Sequence, residues 1–316
     1  MASSTGGARP GPAGKLFTAV AILLLTTFAG VSHAATTGGA PTPAGGPPPP
    51  GSATGAPAGG GPSAGALTVV SARTFPRKSF YYGIRYPRLS YTIASTQPQN
   101  DLRIDVVDAT GTVVRSFYRN DVAPAVASTI RWDGTAANGR PARNGRYTFR
   151  ISAQTGVPAA RRATRSTALK LGFALYGFAF PVLGPHTFGE AGARFGAGRS
   201  GHTHQGHDVM ARCGTPLVAA RGGRVRFSGY HGAAGNYLVI DGKGTGFDTA
   251  YMHLLRPSLL RTGDQVRTGQ PIGLVGSTGS STACHLHFEI WTAPGWYEGG
   301  SPIDPLSHLL KWDRYS

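Results

Sequence analysis

The sequence predicts a mainly β protein, with an N-terminal Ig-like β-sandwich followed by a C-terminal antiparallel β-sheet domain. Short segments of alternating apolar and polar residues recur from residue 67 onward, and glycine-containing turns separate them. Gly (47) and Pro (24) are too frequent among the 316 residues for a long helical bundle. Two cysteines are too few for a disulfide-dense scaffold, and 40% hydrophobic residues are too many for a disordered chain.

Residues 1–34 have the layout of a secretory signal peptide. Arg9 and Lys15 precede an uncharged run over residues 16–31, and the small residues Ser32 and Ala34 follow it. This order predicts export, with cleavage after Ala34, and an extracellular, cell-wall or periplasmic location. An uncleaved membrane anchor is the alternative, although the run is shorter than the ~20 residues that span a bilayer.

Residues 35–66 contain only Gly, Pro, Ala, Ser and Thr. These side chains cannot build a hydrophobic core, and the prolines stiffen the chain. We therefore expect a disordered, semi-extended linker in front of the first domain.

The segment 67–156 is predicted to be the Ig-like sandwich. Its candidate strands are residues 67–70, 89–94, 102–108, 112–118 and 146–152. Turn dipeptides of the Asn-Gly and Asp-Gly type begin at Asp133, Asn138 and Asn144. Several short strands in about 90 residues favour such a sandwich. Residues 132–151 also resemble the last hairpin of the Ig-like domain of flagellar hook-cap proteins, a signal of fold that implies no chemistry.

The net charge of +17 is concentrated in the middle of the chain. Residues 68–176 hold 17 basic and 5 acidic residues, whereas residues 177–316 hold 12 and 9. Residues 157–176 are predicted to be a basic linker between the domains. A basic Ig-like domain could bind anionic wall polymers or a membrane surface, and a solvated surface without a ligand is the equal alternative. Nucleic acid is not expected, because the chain is predicted to be exported and has no recognised binding motif.

The segment 177–310 is predicted to be the second domain, and residues 311–316 a C-terminal tail. Its candidate strands are residues 225–229, 237–240, 247–254, 271–276 and 285–290. Asp304 and Pro305 are typical of the start of a short helix.

Three polar clusters in this segment could carry chemistry. They are residues 204–208, 251–254 and 285–289. Within a strand, His285 and His287 point to the same face. Zn²⁺ in a hydrolytic site takes three nitrogen or oxygen ligands and one water, and two imidazoles with one carboxylate would satisfy this need.

The order of these clusters resembles the lysostaphin-type zinc endopeptidases, which cut the peptide cross-links of peptidoglycan. The likeness begins at 180–185 and continues through H-x-G-x-D, GTPLVAARGGRV, GNYLVID and YMHL to the run that ends in HLHFEI. The resemblance implies that His204, Asp208 and His287 bind Zn²⁺. It also implies that His253 and His285 act on the water and the transition state. We expect His285 to be the general base and His253 to steady the oxyanion or protonate the leaving amine, with this division of roles open.

The same resemblance brings Cys213 and Cys284 together beside the metal. An oxidising location favours a disulfide between them, with free thiols or extra metal ligands as alternatives. Glu289 lies further along the strand and is expected to support a ligand rather than to act as a base. His207 stands where the family has an apolar residue, and we interpret it as tolerated variation.

These observations predict an exported zinc metalloendopeptidase that hydrolyses stem peptides or cross-bridges of peptidoglycan. A catalytically silent wall-binding protein, or an activator of another wall hydrolase, is the alternative. The complete set of five site residues argues against that alternative.

Overall fold

The computed structural model describes residues 67–154, 160–161, 169 and 171–316. The predicted signal peptide and the predicted linker over residues 35–66 lie outside the described residues. Within these ranges, no helix is long and apolar enough to cross a membrane.

The front domain is a sandwich of two β-sheets. Its strands are β1 (Thr68–Phe75), β2 (Lys78–Phe80), β3 (Arg88–Ala94), β4 (Leu102–Asp108), β5 (Val113–Arg119), β6 (Ser128–Arg131), β7 (Gly145–Ala153), β8 (Ala160–Arg161) and β9 (Gly172–Tyr176). One sheet has the order β6-β3-β1-β8 and the other β2-β9-β7-β4-β5. Between them, Trp132 packs edge-on against Tyr147 and Phe173 at ring-centroid distances of 5.1 and 5.9 Å.

The predicted linker over residues 157–176 is wrong at its C-terminal end. Residues Gly172–Tyr176 form β9, which pairs antiparallel with β7 and parallel with β2. Phe173 and Leu175 alternate into the core and are almost fully buried. The basic run that precedes this short alternation obscured it in the sequence.

The second domain is built on one large antiparallel sheet. Its strands are β10 (His186–Thr187), β11 (Gly198–Arg199), β12 (His202–Thr203), β13 (His207–Ala211), β14 (Pro216–Val218), β15 (Gly223–His231), β16 (Gly235–Gly242), β17 (Phe247–Leu254), β18 (Gln265–Val266), β19 (Pro271–Leu274), β20 (His285–Thr292) and β21 (Pro302–Ile303). A 3₁₀ turn (Ala191–Ala193) and the helix α1 (Leu306–Asp313) complete it. The sheet order is β10-β13-β20-β17-β16-β15-β18, so the mainly β, antiparallel fold class is confirmed.

The C-terminal tail predicted over residues 311–316 is also wrong. The helix α1 continues to Asp313, and Trp312 is 3% exposed in the core of the second domain. Its ring stacks on Phe178 at 4.6 Å and meets Phe288, on the central strand β20, edge-on. The helix predicted from the sequence covers residues 305–310 only, although Trp312 follows Leu309 at the i, i+3 spacing of one helix face.

The two domains are joined by buried polar contacts that lie away from the strands β13, β20 and β17. Thr268 is fully buried and its Oγ1 donates to the carbonyl of Tyr81 at 2.8 Å. The guanidinium of Arg221 lies over the rings of Tyr81 and Phe178 and donates to the carbonyl of Gly177. Burial lowers the pKa of Arg221 to about 10. These hydrogen bonds and cation–π contacts of Thr268 and Arg221 hold the front domain against the second one.

Candidate metal centre

The three polar clusters of the sequence meet on three adjacent strands. The central strand β20 carries His285 and His287, and β13 and β17 flank it. Asp208 on β13 lies directly opposite His287, as does Met252 on β17. His253 follows at the end of β17. Antiparallel register therefore brings together side chains that are about 80 residues apart in the sequence.

Three side-chain atoms converge at this place. His204 Nε2 lies 2.9 Å from His287 Nδ1 and 3.1 Å from Asp208 Oδ1. His287 Nδ1 and Asp208 Oδ1 are 2.9 Å apart. Both imidazoles are more than nine-tenths buried. These atoms form a compact triangle of two nitrogens and one oxygen, as a metal-binding group does.

Hydrogen bonds on the far side of each ring orient this triangle. His204 Nδ1 donates to the carbonyl of Arg194 at 2.8 Å, and His287 Nε2 donates to Glu289 Oε1 at 3.0 Å. A carbonyl and a carboxylate only accept, so the inner nitrogen of each neutral ring offers a lone pair. A single proton inside the triangle can be shared by only two of the three atoms, whereas a metal ion can be bound by all three. The donor set therefore fits a metal ion.

The electrostatics of the metal-free triangle keep a second proton on the His287 ring, at Nδ1. Burial by itself lowers the pKa of His287, but the hydrogen bonds to Asp208 and Glu289 outweigh it and raise this pKa to about 9. Burial alone would raise the pKa of Asp208, yet its contacts with His204 and His287 hold it well below its ordinary range. A metal must therefore displace the Nδ1 proton.

This proton predicts a pH dependence of the metal-free protein. The pKa of His287 is raised in the folded state, so its stabilising contribution is complete below pH 6.5 and is lost as the pH rises toward 9. We expect the free energy of unfolding of chelator-treated protein, measured with urea, to fall over this interval. The same measurement on His287→Gln should show a flatter profile. Identical profiles for the two proteins would contradict the assignment.

Glu289 is itself held by a further residue on the same strand face. Its side chain is 3% exposed, and Oε2 accepts a hydrogen bond from Trp291 Nε1 at 2.7 Å. His285, His287, Glu289 and Trp291 alternate along β20, so one strand face carries the whole series. Sequence reasoning placed Glu289 beside a ligand but missed Trp291. The period-2 continuation of the motif was the signal that would have found it.

Neutralising Glu289 is expected to weaken metal binding. In Glu289→Gln, the His287 ring loses its charged acceptor and becomes a poorer donor of electrons to the metal, so we expect affinity to fall about 10–100-fold. Competition against a chromophoric chelator measures this. Glu298→Gln is the matched control, because Glu298 is an exposed carboxylate paired with Arg226. Equal affinities for Glu289→Gln and the wild type would rule out this role.

The other two predicted histidines flank the triangle with a common hydrogen-bond pattern. His285 Nδ1 donates to the carbonyl of Ala283 at 2.8 Å, and its Nε2 lies 3.5 Å from Asp208 Oδ1. His253 Nδ1 donates to the carbonyl of Thr278 at 2.7 Å. The two rings are 4.7 Å apart. In the neutral state, each ring therefore presents Nε2 as an acceptor.

His253 is held in an unusual backbone conformation. Its φ angle is +60°, in the left-handed region that costs a non-glycine residue energy. The amide of His253 donates to the carbonyl of Ala234, which fixes this turn of the chain at the strand end. Burial lowers the pKa of His253 to about 4, so the ring is neutral at physiological pH.

All five predicted site residues line one groove of about 830 Å³. Tyr237, Trp296 and Tyr297 form its aromatic side, and the exposed His202 and His231 also line it.

Two other histidines lie off the triangle. The Nε2 atom of His207 donates to the carbonyl of Phe188, and burial lowers the pKa of this ring. His186 stacks on Phe180 and lies 3.5 Å from Asp313.

A disulfide joins the segments that carry the triangle. Cys213 follows β13, Cys284 directly precedes β20, and their sulfurs are bonded. The amide of Gly214 donates to the carbonyl of Val275, which adds a backbone contact beside the bridge.

Two histidines and one aspartate brought together in an open groove of an antiparallel sheet are an arrangement typical of metal-dependent enzymes. The family model described as Peptidase family M23 matches residues 202–305, and that of the FlgD Ig-like domain matches residues 88–156. The chain therefore carries a domain of peptidase family M23, with an FlgD Ig-like domain in front of it. Both resemblances predicted from the sequence are confirmed.

Several named proteins are similar to this chain over the peptidase domain. Peptidoglycan DD-endopeptidase ShyC of Vibrio cholerae is 45% identical over 86 residues, which cover 27% of this chain and 19% of ShyC. DD-carboxypeptidase/endopeptidase Mpg of Neisseria meningitidis is 38% identical over 107 residues, covering 34% and 23%. The solved catalytic domain of lysostaphin from Staphylococcus simulans is 32% identical, with 37% of this chain and 89% of that chain covered and a TM-score of 0.34. The chain thus spans about a fifth of the length of ShyC and of Mpg.

Proposed function

We propose that the protein is an exported zinc metalloendopeptidase that hydrolyses peptide bonds in peptidoglycan stem peptides or cross-bridges. The observation that carries the proposal is the triangle of His204, Asp208 and His287, open to a groove that also holds His253 and His285. Relatives whose names state peptidoglycan endopeptidase activity support the substrate class. Export rests on the layout of residues 1–34, and the proposed domain limits are 67–176 and 177–316.

Zinc is the metal that suits this donor set best. Two imidazoles and one carboxylate leave one of its four preferred positions for water. Bound there, zinc would supply the Lewis acidity that polarises a carbonyl and acidifies a water molecule. His204, Asp208 and His287 would hold it, and Glu289 and the carbonyl of Arg194 keep the two rings in the orientation that this requires.

The hydrogen-bond pattern of His253 and His285 supports a refined division of roles. Both Nδ1 atoms donate to backbone carbonyls, so both Nε2 atoms start as acceptors. His285, the closer of the two to Asp208, takes the proton of the attacking water and returns it to the leaving amine. His253 at first accepts a hydrogen bond from the water. Its Nε2 does not donate to an oxyanion in the neutral ring, because the single N–H, on Nδ1, is committed to the carbonyl of Thr278.

The groove supports binding of an extended peptide. Its volume of about 830 Å³ accommodates several small residues on either side of the scissile bond, and the aromatic side chains of Tyr237, Trp296 and Tyr297 form one wall. Arg199 lies on the rim, with its guanidinium 3.7 Å from Asp208 Oδ2.

The proposal is tested on isolated peptidoglycan with zinc-loaded protein. We expect wild type to release new amino groups, and His287→Ala and His285→Ala to lose this release almost completely. His202→Ala is the matched control, because His202 is an exposed histidine of the same groove. No release by wild type from several wall types would favour the alternative, a silent wall-binding protein or an activator of another hydrolase.

A further inference from the structure

The outer face of the four-stranded sheet in the front domain is unusually basic. Across β6, β3 and β1, the exposed positions form two rows. Arg131 lies opposite Arg88, and Arg88 lies opposite Phe75. The next row is Thr129, Ser90 and Arg73. We call Arg73, Arg88 and Arg131 with the exposed positions between them the arginine face.

The intervening residues show that this face is turned to solvent. Leu89, Thr74 and Ile130 alternate with the arginines and are 1% exposed or less. They point into the sandwich, so period 2 forces the arginines outward. All three arginines are exposed.

On the opposite outer face of the sandwich, two arginines share one carboxylate. Asp105 lies between Arg103 and Arg150, at 2.9 and 2.8 Å. Burial alone would raise the pKa of Asp105, but hydrogen bonds from Arg150, Ser116 and Arg103 outweigh it and lower the pKa. Among the residues that the structure describes, no carboxylate lies within 4 Å of an arginine of the arginine face. The three arginines of the arginine face are therefore not neutralised by any described carboxylate.

Two like charges directly opposite each other destabilise an antiparallel sheet. Arg88 and Arg131 are such a pair, and a bound anion would offset their repulsion. Guanidinium groups bind phosphate oxygens through paired N–H donors, and the hydroxyls of Ser90 and Thr129 in the next row add further donors. The face is therefore suited to phosphate.

We propose that the arginine face binds a linear phosphodiester polymer. Arg88 and Arg131, with Cβ atoms about 5 Å apart, converge on one phosphate. Arg73 occupies the diagonal position about 7–8 Å from Arg88, which is comparable with the separation of successive phosphates in an extended phosphodiester chain. The ring of Phe75 supports the Arg73 guanidinium at 5.9 Å. Two polar rows with one apolar side chain, Phe75, at the end of β1 favour a polymer over a lipid surface.

The test measures binding of the full chain to poly(glycerol phosphate), from which lipid has been removed. We expect Arg88→Gln/Arg131→Gln to weaken binding at least tenfold near 0.1 M salt. The slope of log K against log salt should become shallower by about one, because Arg88 and Arg131 share one phosphate and each phosphate contact releases counterions. Arg140→Gln/Arg143→Gln is the matched control, because it removes the same charge at exposed turn positions and should change binding less than threefold.

Three results would overturn the proposal. They are absence of wild-type binding, equal loss in both double variants, and tighter binding to phosphatidylglycerol vesicles than to the polymer at equal phosphate. The third result would identify a membrane surface instead. An unchanged circular dichroism melting curve shows that each variant is folded. The single variant Arg73→Gln should weaken binding by a smaller factor than the Arg88→Gln/Arg131→Gln variant. Release of amino groups from a short soluble peptide should be the same in all variants, so this test is independent of the peptidase proposal.

Discussion

His253→Ala is expected to lower the turnover number about 10²–10⁴-fold while the metal stays bound, because the attacking water loses the acceptor that orients it beside the general base His285. His253 lies outside the His204–Asp208–His287 triangle, so its loss leaves all three ligand atoms in place. The ring is neutral because burial lowers its pKa to about 4, and Thr278 holds its proton on Nδ1. Alanine removes His253 Nε2, the atom that accepts the hydrogen bond of the attacking water.

Two measurements separate this effect from a loss of structure. Metal content by mass spectrometry should remain near one per chain in His253→Ala and fall in His287→Ala. His231→Ala, which changes an exposed histidine of the same groove, should keep the wild-type turnover number within a factor of about three. A His253→Ala protein with near-wild-type turnover would contradict a role of His253 in orienting the attacking water.

Removing the disulfide is expected to lower the free energy of unfolding by about 4 kcal/mol, because the bond closes a loop with a sequence separation of 71 residues. The bond also ties the segment after β13 to the start of β20, which carries His285 and His287. We therefore expect Cys213→Ser/Cys284→Ser to show a lower urea midpoint and a faster loss of metal to a chelator.

Reduction of the wild type provides the control for this prediction. Treatment with a thiol reductant should move the wild-type urea midpoint to that of the double serine variant. The same treatment should leave the variant unchanged. A wild-type midpoint that does not respond to complete reduction would show that the disulfide adds no stability.

Much of the candidate site was predictable because its signals are local. The alternation over residues 102–108 predicted β4, and the short β-rich segment over residues 247–254 predicted β17, both at their observed bounds. The H-x-H spacing predicted that His285 and His287 share a strand face, since side chains alternate with period 2. The family resemblance covered the peptidase segment and the end of the Ig-like segment.

The domain limits were predicted less well. The strand Gly172–Tyr176 follows a basic run and contains only two core residues, and Trp312 is an isolated aromatic side chain. Each is stabilised by partners far away in sequence, such as Trp132 for Phe173 and Phe178 for Trp312. No local pattern encodes such contacts.

The sequence by itself determined the residue types of the site and their order along the strands, because these depend on alternation within short segments. Only the tertiary structure decided that Asp208 lies opposite His287. It also decided which ring nitrogen of each histidine carries the proton. Register and tautomer depend on backbone carbonyls and carboxylates that the fold brings near each ring, among them those of Arg194 and Thr278. These partners are set by the packing of separate strands and loops, which a local sequence pattern does not specify.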